Sequence, residues 1–176
     1  MRFRRTPLAG AFIIEPERLI DERGFFARTF CREEFIEHGL NPDVAQCSVS
    51  FNSAPFTLRG MHRQEDPHAE DKIVRCTQGA LFDVIVDMRR ESATHCQWFG
   101  LDLTAENRSM LYIPKGVAHG FLTLLPDTEV SYQMSRSYNA SSGRGARWND
   151  PAFGIRWPRA PLQISVRDAE YPDYQP

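Results

Sequence analysis

His62 is the residue from which a chemical reading of this chain begins. It stands in Arg59-Gly60-Met61-His62-Arg63-Gln64, where strand alternation puts His62 and Gln64 on one face and Gly60 offers a bulge that could re-aim Arg59 toward the same side. An imidazole titrates near neutral pH, so it can take or give a proton; hydrogen-bonded in a core it does neither. Lys72 opens the run Lys72-Ile73-Val74-Arg75-Cys76, its amine either in solvent at a strand end or in a pocket facing an anion. Tyr132, in Val130-Ser131-Tyr132-Gln133-Met134, shares a face with Val130 and Met134 and is expected inside. By default it is a structural tyrosine, with a hydroxyl that must find a partner. Asp168, in Ser165-Val166-Arg167-Asp168, reads on its own as a solvated carboxylate of the tail.

A metal site is the other chemistry these residues invite. Pro114-Lys115-Gly116-Val117-Ala118-His119 matches the second half of the two-part metal motif of cupin barrels, His-x-His plus a Glu, then Pro-x-Gly-x-x-His. In the first half Gln64 takes the place of the second histidine, and no glutamate sits at the right offset. Two imidazoles fall short of the three protein ligands usual for a catalytic metal, so none is expected.

The elements that must position these side chains are strands. Ala80–Val86 alternates cleanly, Phe82, Val84 and Val86 facing one way and Leu81, Asp83, Ile85 and Asp87 the other. Short runs of similar character cover 72–76, 97–103, 109–113, 119–124 and 129–134, with turn-prone pieces between them. The pattern predicts an all-β domain: a sandwich, jelly roll or closed barrel. One short helix is expected from Cys31 to His38, with Phe35 and Ile36 as its apolar contacts and Gly39 as its stop. From Asn139 to Pro176 five prolines accompany Trp148, Phe153 and Trp157, which suits an extended segment packed over the barrel by aromatic anchors.

Composition narrows the function classes. The chain has 176 residues, 21 basic against 23 acidic side chains and a formal net charge of −2, with no basic block, which argues against nucleic acid as a partner. No apolar run approaches the ~18 residues of a membrane span, and the N-terminus lacks the apolar core of a signal peptide. No membrane partner and a cytoplasmic location are therefore expected. Cys31, Cys47, Cys76 and Cys96 show no CxxC pair, and free, mostly buried thiols are expected. Of the 21 cationic residues only Lys72 and Lys115 are lysine, which singles out both positions.

Taken in order, the motifs resemble the dTDP-4-dehydrorhamnose 3,5-epimerase family. The resemblance runs through 21–26 (DERGFF), 58–64 (LRGMHRQ), 83–89 (DVIVDMR), 113–121 (IPKGVAHGF) and 148–151 (WNDP), ending at Trp157-Pro158 and Arg167-Asp168. It implies a single cupin-like epimerase domain over 1–176, a jelly-roll barrel with short peripheral helices and an extended C-terminal segment. It also implies cofactor-independent epimerisation at C3 and/or C5 of a nucleotide-linked, dTDP-type, 4-keto-6-deoxyhexose. Protons flanking a ketone are acidic because the carbanion delocalises into an enolate, so a base, an acid and a cation at the oxyanion suffice.

By that resemblance His62 is the base, Asp168 supports its imidazolium, Tyr132 is the opposite-face acid and Lys72 lies beside the C4 oxygen. Arg59 and His119 match pyrophosphate contacts, with Arg167 assisting and Arg23 reaching across a dimer interface. Tyr138 and Phe26 match the residues that hold the nucleoside, and Gln46 a further polar contact. Family members are usually homodimers that exchange N-terminal strands, so Arg23 and Phe26 would come from the partner. Arg28, Ser48 and Arg63 depart from the commoner glutamate, asparagine and tyrosine, all near the substrate. A metal-dependent cupin and a non-catalytic sugar-nucleotide-binding cupin are the competing classes; the second would keep Arg59, His119 and Tyr138 without the acid–base set.

Overall fold

The structure, a computed structural model, describes residues 1–176. Four short strands come first, β1 (Arg2–Arg5), β2 (Phe12–Glu15), β3 (Arg18–Asp21) and β4 (Gly24–Ala27), followed by the helix α1 (Arg32–Glu37). The longer strands are β5 (Gln46–Asn52), β6 (Thr57–Gln64), β7 (Lys72–Gln78), β8 (Ala80–Asp87), β9 (Trp98–Thr104), β10 (Met110–Ile113), β11 (Val117–Thr123) and β12 (Thr128–Met134). The tail adds β13 (Gly143–Gly145), β14 (Gln163–Ile164) and the one-turn α2 (Val166–Ala169).

They form a jelly roll of two facing sheets. One sheet runs β1-β2-β10-β7-β12-β5; the other runs β13-β6-β11-β8-β9, with β14 lying parallel to β6. β3 and β4 pair only with each other. Strands β7 to β12 coincide with the runs read in the sequence and the end of β6 with the alternation at 62–64, whereas β1 to β4 escape them. Each is four residues long, and β3 is exposed throughout, so no period of two separates an inner face from an outer one. No helix is long and apolar enough to cross a membrane.

The inward faces are divided along their length. On β7 the inward side reads Lys72, Val74, Cys76; Val74 and Cys76 join Leu81, Ile85, Leu111, Phe121 and Val130 in a 13-residue apolar cluster between the sheets. Lys72, at the other end of the same strand, lines a cavity. The alternation of β8 is as expected, with one addition: its other face is also buried, Val84 and Val86 packing with Phe153, Trp157 and Tyr174 of the tail. The tail is thus pinned over the second sheet, and Trp157 Nε1 donates to the Trp148 carbonyl at 2.8 Å. In α1 only Phe35 is buried, against Phe3, Phe30 and Tyr112, and Gly39 follows at φ 70°. Ile36 is exposed, contrary to expectation, because so short a helix turns one residue to the sheet and the next away from it. All four cysteines are free, but only Cys76 is buried; Cys47 lies on the outward side of the edge strand β5.

The bulge at Gly60 sets the geometry of β6. His62 pairs with His119 and Arg59 with Phe121, so Gly60 and Met61 together oppose the single residue Gly120. Arg59 and His62, three apart, consequently both face inward. Gly60 has φ 126°, and a Cβ there would lie 2.4 Å from Gly120 Cα and 2.9 Å from the His119 carbonyl oxygen. We expect Gly60→Ala to destabilise the fold by about 2–4 kcal/mol, read from urea unfolding, since strain and backbone collision act together.

Asp87, fully buried at the end of β8, accepts from Arg89 Nε and Nη2 at 2.8 and 2.7 Å and from Ser92 Oγ and Thr94 Oγ1, both at 2.6 Å. Burial raises its pKa, but the bonds from Arg89, Ser92 and Thr94 outweigh it and hold the carboxyl at about 2, below its ordinary 3.8. A depressed carboxylate stabilises the fold above its unfolded pKa and ceases to as pH falls through the folded one. Asp87→Asn should therefore lose about 2 kcal/mol at pH 7 and flatten the acid-unfolding curve between about pH 4 and 2.

Candidate active site

Beyond the apolar cluster, the sheets enclose a cavity of about 760 Å³. The second sheet contributes Arg59 and His62 from β6 and His119 from β11; the first contributes Lys72 from β7 and Tyr132 from β12. Tyr138, just after β12, and Arg167 and Asp168 of α2 complete the set. Eight residues singled out in the sequence thus meet in one place. Gln46 lies outside the lining; its Oε1 accepts from the Tyr138 amide at 2.9 Å and so holds that loop. Arg23, Phe26 and Arg28 also lie outside it: Arg23 pairs with Asp21 at 2.5 Å, Phe26 is exposed on β4, and Arg28 pairs with Glu34 at 3.0 Å.

His62 Nε2 lies 2.7 Å from Asp168 Oδ1, while Asp168 Oδ2 accepts from the Gly60 amide at 3.2 Å. Asp168 is 4% exposed, which overturns its reading as a solvated carboxylate. The reason lies in the tail: Ser165 caps α2, its Oγ accepting from the Asp168 amide at 3.1 Å, and α2 docks against β6. Burial pushes the Asp168 carboxyl up, but the His62 hydrogen bond and charge, with help from Gly60 and Ser165, outweigh it and leave it below the usual carboxylate range. It is an ionised partner for an imidazole, able to fix the tautomer and stabilise the protonated ring.

Tyr132 stands on the opposite sheet from His62. Its hydroxyl lies 3.2 Å from Ser50 Oγ. Burial raises its pKa well above the ordinary phenol value, and the Asp83 charge adds to this, while Ser50 and Arg59 oppose it. The side chain is accordingly a protonated phenol. His119 lies deeper, its Nε2 2.7 Å from Oδ1 of Asp83, which is fully buried; burial raises the Asp83 pKa and the charge and hydrogen bond of His119 oppose this. Lys72 follows the second of its two readings: its amine is in the cavity and faces an anion, which is a resident carboxylate, Glu70 Oε1, at 2.9 Å.

Several of these partners were not apparent in the sequence. Asp83 was the most accessible, because β8 alternation already put a carboxylate between inward Leu81 and Ile85. Asn52, whose Oδ1 accepts from Arg59 Nε at 2.8 Å, gave no signal, nor did Arg136 and Arg144; these two arginines line the cavity together with Ser48 and Arg63, which the resemblance had already put near the substrate. Arg59, Arg63, Lys72, Arg136, Arg144 and Arg167 set six cationic side chains against Glu70 and Asp168 of the lining and Glu65, which pairs with Arg63 and Arg144, in a chain of net charge −2. Such a pocket selects an anion.

Comparison with known proteins agrees with the geometry. The family model described as dTDP-4-dehydrorhamnose 3,5-epimerase matches residues 5–175. The dTDP-4-dehydrorhamnose 3,5-epimerase of Sinorhizobium fredii is 39% identical over 173 residues, covering 98% of this chain and 89% of that protein. The crystal structure of the Elizabethkingia anophelis enzyme of that name superposes with a TM-score of 0.95 at 36% identity, covering 99% of this chain and 96% of that one. The Bacillus anthracis enzyme, solved with TDP and PPi bound, gives a TM-score of 0.94 at 37% identity over 98% and 99% of the two chains. With matching sequence over nearly its whole length and a matching cupin-type jelly roll around this cavity, the chain belongs to the dTDP-4-dehydrorhamnose 3,5-epimerase family.

Proposed function

We propose that residues 1–176 act as one epimerase domain that inverts C3, C5 or both in a dTDP-linked 4-keto-6-deoxyhexose by proton abstraction and return through an enolate. The observation that carries the reading is the His62–Asp168 pair on one wall of a cationic cavity with the protonated Tyr132 on the other. A sugar ring between those walls has a base against one face and an acid against the other, which is the requirement for inversion rather than simple exchange. His62 removes the proton from the carbon beside the ketone, and Asp168 stabilises the imidazolium that results. Negative charge gathers on the C4 oxygen, beside which Lys72 sits as a compact ammonium. Tyr132 then delivers a proton from the opposite face. Proton transfer alone completes the reaction, so neither a redox group nor a metal enters it.

Arg59, Arg167 and His119 receive the diphosphate, for which guanidinium forks are well shaped. Tyr138, 60% exposed at the rim and held by Gln46, stacks on the base. The TDP and PPi bound to the Bacillus anthracis relative support this half of the assignment. The working form is a homodimer with exchanged N-terminal strands. The β3–β4 hairpin carries Leu19, Ile20 and Phe26 at 68%, 79% and 71% exposure and pairs with nothing else in the protomer. An isolated two-stranded hairpin is marginal in water, and β5 offers an open edge with Val49 and Phe51 exposed on it. Laid along the β5 edge of a second copy, the hairpin carries Arg23, Phe26 and Arg28 toward that copy's cavity.

Incubation with dTDP-4-keto-6-deoxyglucose in D2O should place deuterium at C3, C5 or both, and incorporation at neither would exclude the epimerase. His62→Ala should lower exchange at every labelled carbon by at least about 10²-fold, the size of a general-base contribution. Tyr132→Phe should leave measurable exchange while suppressing inversion, as resolved by NMR of the recovered sugar. Sedimentation equilibrium at micromolar concentration should give twice the 20.2 kDa chain mass, and a monomer there would refute the exchange.

A further inference from the structure

Gln64, left over when the metal motif failed, is 5% exposed and fully engaged. Its Nε2 donates to Glu70 Oε2 at 2.5 Å and to the His68 carbonyl at 2.9 Å, and its Oε1 accepts from the Asn139 amide at 2.6 Å. Glu70 is itself 7% exposed, and its other oxygen faces Lys72 Nζ at 2.9 Å. The ammonium has a second anchor in the His62 carbonyl, at 3.4 Å. Three donors leave Nζ; two are directed at protein acceptors, and one remains for the cavity.

We propose that Glu70 is a positioning residue for the epimerisation: held by Gln64, it orients the Lys72 ammonium so that its free donor is aimed where the C4 oxygen develops charge. This rests on the epimerase reading of the site and adds a residue to it. A lysine stem has four rotatable carbons, and an ammonium without a fixed acceptor would distribute itself among whatever acceptors the cavity offers. Fixing it beforehand removes that reorganisation from the reaction. The network also explains Gln64, whose amide faces Glu70 and so gives the carboxylate a single orientation.

The test compares steady-state turnover and deuterium wash-in on dTDP-4-keto-6-deoxyglucose for wild type, Glu70→Met, Glu70→Gln, Lys72→Met and the Glu70→Met/Lys72→Met double variant. Methionine fills the volume of Glu70 without an acceptor; should that variant fail to fold, Glu70→Ala, which admits water, replaces it. Glu70→Met is expected to lower kcat about 10–100-fold with KM within about threefold, because the substrate's phosphate contacts are untouched. Glu70→Gln, which keeps an oxygen for Lys72, should recover most of that loss. The double variant should be no slower than Lys72→Met alone, since a residue acting only through Lys72 has nothing left to act on. Wild-type exchange with unchanged kcat in Glu70→Met, or multiplicative losses in the double variant, would overturn the inference alone. Absence of exchange in wild type would remove the epimerase reading and this inference with it.

Discussion

The Asp168 carboxylate holds two parts of the molecule with its two oxygens. One accepts from the Gly60 amide at the bulge of β6 and the other faces the His62 imidazole. The bulge decides which side chains of that strand point inward, and the carboxylate takes up the amide exposed at the bulge. A buried ionised carboxylate is tolerable only with such partners, since burial disfavours charge. The same two contacts satisfy the carboxylate, fix the strand and orient the ring. The site and the fold are therefore not separable at this point: a change in the packing of α2 is a change in the base.

The interior is arranged around a similar economy of partners. Apolar residues fill one end of the space between the sheets, and four buried carboxylates each have a named counterpart: His119 for Asp83, Lys72 for Glu70, His62 for Asp168 and Arg89 for Asp87. Two of these counterparts are imidazoles and one is an ammonium, all facing the cavity. A buried pair adds little to stability over an apolar replacement, but removing one member leaves the other uncompensated. That asymmetry keeps the cavity polar groups in fixed orientations before any ligand arrives.

Much of this was legible in the residues. Alternation in 80–86 and the runs around it gave the strands and their inner faces, because a half-buried strand carries its orientation in a period of two. His62, Tyr132 and Lys72 were found as polar side chains on those faces. The tail aromatics correctly announced a packed segment. What sequence did not show has physical causes. The strands β1 to β4 are short and exposed, so burial imposed no pattern on them. Glu70 follows Glu65-Asp66-Pro67-His68-Ala69, a stretch indistinguishable from a solvated loop until β7 is seen to bring Lys72 beside it. Asp168 read as solvent-exposed because its burial is decided by a contact with a residue 106 positions away. The lining arginines 136 and 144 come from segments distant from Arg63, which only the resemblance had put near the substrate, and charge convergence of that kind exists only after folding.

That long separation also has a thermodynamic side. The strand pairs joining β6 to β12 are all nearer in sequence than Asp168 is to His62, so the contact between imidazole and carboxylate closes a longer loop than any of them. Undocking of α2 from β6 with both sheets still paired would strip the ring of its carboxylate and leave the jelly roll standing. Competence for proton transfer is thus a more fragile property than the fold that carries it.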